Sequence, residues 1–168
     1  METKYEMKSV PILVLLTLVA APFGVAAQNS GQIASAKRGA NCPGCNLFQA
    51  DFSGMEISGR SYARARIRQA DLSLSVMSRT NFSGSDLRDV NAYGGVFSSS
   101  TFAHADLTHA SFVGTFMAGA NLSGARLDGT NFSGAELDRA RGLTQTQLDR
   151  ACGDSQTKLP KGLRIPAC

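Results

Sequence analysis

The sequence lacks most of what a catalyst or a membrane-spanning protein is built from. It has two histidines in 168 residues. These are His104 and His109, five apart, with no third ligand and no nucleophile pattern beside them, so no metal site or acyl-transfer set can be assembled. Both read as surface residues of turns. No glycine-rich phosphate loop is present. The longest apolar run, residues 10–21 (VPILVLLTLVAA), is too short to cross a bilayer. Neither sign of charge is in large excess, the formal net charge being +4, and no nucleic-acid partner is expected. No cofactor is expected either.

What the chain has in abundance is a period. Every fifth residue from Leu47 to Leu137 is large and apolar in eighteen of nineteen cases, Ala92 being the exception. The residue two before each is small in seventeen of nineteen, Met55 and Arg60 being the exceptions. Glycine stands two places after the apolar residue nine times. The repeat has to be read before any local element.

A period of five fits neither a helix, where the apolar set would spread around the axis, nor a straight strand, where it would alternate faces. It fits a chain that bends once per quintet. The apolar centre and the small residue two before it then point inward, and the other three point outward, with glycine easing the corner. Four bends close a square coil of twenty residues, and coils stack at about 4.8 Å. Nineteen quintets predict nearly five coils, a rod of roughly 23 Å.

Quintets such as Ala70-Asp71-Leu72-Ser73, Ala105-Asp106-Leu107-Thr108 and Ala120-Asn121-Leu122-Ser123-Gly124 resemble the pentapeptide-repeat family, whose motif is A-(D/N)-L-x-x. The resemblance covers residues 45–139. It implies an all-β fold, a right-handed quadrilateral parallel β-helix, and the handedness comes from the resemblance alone. The C-terminal wording, with Gly142-Leu143-Thr144-Gln145 and Cys152, resembles extensions of bacterial members.

The ends read differently. The apolar run, followed by the small residues Val25-Ala26-Ala27, predicts a signal peptide over 1–27, with Lys8 as the positive flank if Met7 is the true start. A retained anchor is the alternative. Cleavage after Ala27 implies a periplasmic or secreted protein with no stable membrane insertion afterwards. No cysteine follows the run closely, which argues against a lipid anchor. Residues 28–44 are polar and without period and read as a flexible lead-in. Over 140–168 the period stops. Thr144 and Gln147 form a capping-box pattern, predicting a short helix to about Cys152 and a tail that covers the open end of the rod.

Cys42, Cys45, Cys152 and Cys168 are an even set in a chain read as exported, which points to disulfides. Four cysteines allow three connectivities. The length of the rod opposes bonds between its ends and a shared zinc site, leaving Cys42 with Cys45 and Cys152 with Cys168. Cys42-Pro43-Gly44-Cys45 also has the C-x-x-C form of a thiol-disulfide oxidoreductase. That alternative requires a helix starting at Cys42.

Sorted by coil, the outward residues show two departures from the motif. Leu74, Val76, Tyr93, Val96, Val113 and Phe116 are apolar where polar residues belong, and they converge on one edge as a candidate interaction patch for a protein partner or a second copy. Arg60, Arg64, Arg66 and Arg68 form a candidate basic patch, with Arg60 on an inward position where it should strain or open the first coil. The best-known activity of the family is mimicry of DNA by an acidic rod that binds type II topoisomerases. Eight Lys/Arg against nine Asp/Glu over 45–139 do not reproduce that field. The resulting expectation is a non-enzymatic exported scaffold, with redox chemistry and topoisomerase inhibition as alternatives.

Overall fold

The computed structural model describes residues 28–168; the expected signal peptide, 1–27, lies outside them. Two helices bracket the chain: α1, Ser30–Lys37, and α2, Gln145–Leu148. Between them the backbone is a stack of parallel one-residue bridges at a spacing of twenty, from Asn46↔Arg66 to Asn121↔Arg141. Each side of the coil contributes a single bridged residue per turn, so no extended strand develops. The wall is a ladder of short contacts, with bonds such as Leu47 N–H to Arg66 C=O at 2.8 Å and Arg66 N–H to Cys45 C=O at 2.8 Å.

Four sides follow. Side I carries centres Leu47, Ile67, Leu87, Leu107 and Leu127; side II, Phe52, Leu72, Ala92, Phe112 and Phe132. Side III carries Ile57, Met77, Phe97, Met117 and Leu137; side IV, Tyr62, Phe82, Phe102 and Leu122. All of these are buried. Stacked coils place like residues above one another, so Phe82 and Phe102 lie parallel with ring centroids 5.1 Å apart, and Phe97 meets Phe112 edge-on at 5.8 Å. Such aromatic pairs add to the stability gained from buried area. The inward small residues include six hydroxyls, at Ser75, Thr80, Ser85, Ser100, Thr115 and Thr130. Each donates to a backbone carbonyl, as Ser100 does to Met77 at 2.7 Å. Among the described residues no buried side-chain polar atom lacks a partner, which a dry core requires.

Most corners are turns closed by an i→i+3 bond, such as Ala50 N–H to Leu47 C=O at 3.1 Å. The third residue of nearly all of them has positive φ, as type II turns demand. Glycine is not obligatory there: nine corners carry another residue, among them Leu74 (φ 56°), Arg79 (φ 55°) and His104 (φ 57°).

The N-terminal segment corrects the expected flexible lead-in over 28–44. Ser30–Lys37 is helical, with the Asn29 side chain accepting from Gln32 N–H. Ala36 is fully buried and Ile33 packs on the core. The helix covers the open end of the rod, where exposed core would otherwise meet water. The array also starts earlier than residue 45. Cys42 is a buried centre on side IV, its N–H bonded to Ser61 C=O at 2.8 Å, and Gly44 is the first corner.

At the other end the array runs on to Ala140, whose N–H closes the corner on Leu137 C=O, and Arg141, which pairs with the coil beneath. Helix α2 stops at Leu148 rather than near Cys152. Its capping box forms, with Thr144 and Gln147 each accepting from the other's backbone. The chain then rejoins the wall through Asn131↔Cys152 and Glu136↔Lys158. Those offsets are 21 and 22 instead of twenty: one extra residue enters with the helical segment before Cys152 and a second between Cys152 and Lys158.

Candidate interaction surface

The geometry of the coil decides which side chains can act. Only outward columns and corners reach solvent, and each is a row of residues at one-coil spacing. Val76, Val96 and Phe116 occupy consecutive bridges on side III. Leu74 is a corner between sides II and III, and its N–H bonds to Tyr93 C=O at 2.8 Å; Gly94 N–H bonds to Val113 C=O at 2.9 Å. The structure therefore brings all six patch residues together around one edge. Leu74, Tyr93 and Phe116 are the exposed large hydrophobic residues of the described chain, at 61%, 54% and 46%. Val76, Val96 and Val113 are half-buried between them. Neither α1 nor the C-terminal tail covers this edge. The column ends in carboxylates, Glu56 at one end and Glu136 at the other, the latter held by Lys158 at 2.7 Å.

The expected basic patch is divided by the fold. Arg66 and Arg68 lie on side I. Arg66 stacks over the Phe48 ring, 4.8 Å from its centroid, and Arg68 pairs with Asp89 at 3.1 Å. Arg60 and Arg64 belong to the other side of that corner, on side IV, and both are exposed. Arg60 is not inward. An unpaired guanidinium in an apolar core would cost far more than a local distortion. The corner at Ile57–Arg60 accordingly forgoes its closing bond, and the guanidinium lies outside, against Gly39.

Side I is a charge ladder. Arg88 chelates Asp86 at 2.7 Å and approaches Asp106 at 3.8 Å; Arg126 and Arg150 pair with Asp128 at 3.7 and 3.0 Å. The Arg88 guanidinium holds the Asp86 carboxyl below the usual carboxylate range. These acids are matched by cations rather than set out as a phosphate-like row. His104 and His109 are corners on either side of this face, each laid on a glycine of the next coil, Gly124 and Gly129. Among the described residues no cluster of potential metal ligands occurs.

Cys42 is bonded to Cys45, with Cα atoms 5.4 Å apart, and Cys152 to Cys168, at 4.8 Å. The first bond closes a turn between a buried centre and an inward position. No helix begins at Cys42, so the setting that activates a C-x-x-C thiol is not formed.

A four-sided coil of quintets with an apolar edge defines a class, the solenoid scaffold. Family comparison gives the particular group: the model for pentapeptide repeats matches in eight copies over residues 63–91, 100–139 and 117–152. The chain belongs to the pentapeptide-repeat family, whose members adopt a right-handed quadrilateral β-helix and are generally structural or interaction proteins. Among solved structures it is similar to HetL, a pentapeptide repeat protein involved in heterocyst differentiation regulation in the cyanobacterium Nostoc. The identity is 21%, over 79% of this chain and 57% of that one, with a TM-score of 0.48. A thylakoid-lumen member from Arabidopsis thaliana is 29% identical over 54% of this chain and 52% of its own, with a TM-score of 0.32. Another, from the cyanobacterium Cyanothece, is 23% identical over 77% and 97%, with a TM-score of 0.34. The chain spans just over half the length of the first two. No functionally curated protein matches it.

Proposed function

We propose that this protein is an exported, non-enzymatic scaffold, a rigid solenoid of nearly five coils closed at its C-terminus by α2, that offers its apolar edge to a protein partner or to a second copy of itself. One observation carries the reading. The exposed large hydrophobic residues of the described chain, Leu74, Tyr93 and Phe116, all stand on one edge. Scattered exposed hydrophobes are ordinary, but a contiguous patch on a rigid support is the mark of an interface. Rigidity itself favours this use, because corners and bridges pre-order the patch and little entropy is left to lose on docking.

The test replaces Val96 and Phe116 together by Arg. Native mass and the partners recovered by crosslinking in the native compartment are compared with those of the unaltered chain. Loss of a dimer or of a specific partner supports the scaffold reading; unchanged mass and unchanged partners remove it. Export is tested separately, by N-terminal sequencing of the protein recovered from cells, with Gln28 expected as the first residue.

A further inference from the structure

Side IV differs from the other three sides in having no carboxylate. Its outward residues are Ser61, Asn81, Thr101, Asn121 and Arg141 in one column and Ala63, Ser83, Ala103, Ser123 and Leu143 in the other, and its corners carry no acid either. Five arginines frame it: Arg60, Arg64, Arg79, Arg139 and Arg141, all exposed. Among the described residues only Arg139 of these forms an ion pair, a long one of 3.9 Å to Asp138, whereas the arginines of side I nearly all do. Three of them rest on backbone. Arg64 lies over Gly84 of the next coil, Arg60 against Gly39, and Arg141 reaches back to Gly119 C=O at 3.4 Å.

The middle of the face adds donors. Asn81 Oδ1 accepts from Ser83 N–H at 2.9 Å, and Asn121 Oδ1 accepts from Ser123 N–H at 3.0 Å. Each acceptor oxygen is thus used within the wall, and the Nδ2 amides are left as outward donors without a partner among the described residues. On side II the equivalent amide, that of Asn91, is taken by Asp71 at 3.2 Å. Side IV therefore offers guanidinium and amide donors and no anionic acceptor.

We propose that side IV binds a linear acidic polysaccharide, with the arginines taking carboxylates and the Asn, Ser and Thr ladder taking sugar hydroxyls. Arginine forks match carboxylates in two parallel bonds. The four bridges from Ser61 to Arg141 span about 19 Å at ~4.8 Å per coil; the arginines gather at the two ends of the face, with the Asn, Ser and Thr ladder of the Thr101 and Asn121 coils between them. Duplex DNA carries one charge per ~1.7 Å, a density this face does not match. The face has no exposed aromatic residue for stacking bases, as single-strand binding demands. It also has no apolar wedge for entry into a lipid surface.

The experiment measures binding of the full chain to polygalacturonate, with dextran, duplex DNA and phosphatidylglycerol vesicles as competing probes. Salt-dependent binding to polygalacturonate is expected, stronger than to the other three. Arg64→Gln with Arg79→Gln should weaken it at least tenfold. Lys161→Gln with Arg164→Gln, an equal change in net charge on the C-terminal tail, should leave it within twofold. Asn81→Asp with Asn121→Asp keeps the acceptor oxygens and the fold but places two carboxylates on the face, and it should abolish binding while the melting temperature holds. Failure to bind polygalacturonate, tighter binding to DNA or vesicles, or equal loss in the tail control would each overturn the proposal. None of these outcomes bears on the apolar edge, which is a separate surface.

Discussion

Leu74 leans across Gly94 of the next coil, its Cδ2 methyl 2.9 Å from where a Cβ on that glycine would stand. An exposed leucine on a left-handed corner is thereby laid along the rod instead of standing free, and the apolar edge takes its shape from that contact. Gly94 is required twice, by this approach and by its φ of 62°. Replacing Gly94 by Ala should destabilise the fold by about 1–2 kcal/mol through backbone strain and the crowded methyl. Gly114→Ala, at φ 65° with nothing within 4 Å, should show the strain alone. Urea unfolding of the two variants separates the contributions, and equal losses would show that Leu74 does not rest on Gly94.

Gly95 is an inward position with no room for a side chain, because the Phe97 ring comes within 2.7 Å of its absent Cβ. Ala92, the one small centre on side II, lies beside it. Gly95→Ala should cost about 1–3 kcal/mol by overpacking, read as a lowered unfolding midpoint with an unchanged m-value.

Tyr62 is buried, and its hydroxyl donates to Ala36 C=O at 3.4 Å, joining side IV to the end of α1. Burial pushes its phenol up to about 12, against about 10 in the unfolded chain. Between those values the native state keeps a proton that the unfolded state has lost, so stability falls as pH rises from 10 to 12 and is fully present below 10. Thermal melts across that range should show the loss. Tyr62→Phe should abolish that pH dependence while lowering stability at neutral pH by about 0.5–1.5 kcal/mol.

The two disulfides close loops of different length, with separations of 3 and 16 residues. On loop-closure entropy, breaking Cys152–Cys168 by double Ser substitution should cost about 3 kcal/mol, and breaking Cys42–Cys45 about 2 kcal/mol. Reducing agent should lower the melting temperature of the unaltered chain. A melt insensitive to reductant would show that neither bond staples the ends.

The sides of the rod were legible because a fixed period makes position modulo twenty an address, and the six residues of the apolar edge could be assembled from it. Helix α1 was not legible. SGQIASAK has no apolar stripe, and it folds because one alanine and one isoleucine happen to meet an uncovered core end. Arg60 was read as inward because the quintet places it there, and desolvation of its charge turned it out. Its grouping with Arg66 and Arg68 failed for a related reason: neighbours in sequence straddle a corner. Arg79 and Arg141 stand apart from any local run of basic residues, and only the absence of acids from their column marks them in the sequence.

By itself the sequence determined the coil. Large, small and glycine positions recurring every five residues leave a bending chain no other way to bury its apolar set. Tertiary structure decided what the surface can do. Partners one coil away are twenty residues apart in sequence, so only stacking settles which arginine meets an aspartate, which stays free, and which hydrophobes stand together in water.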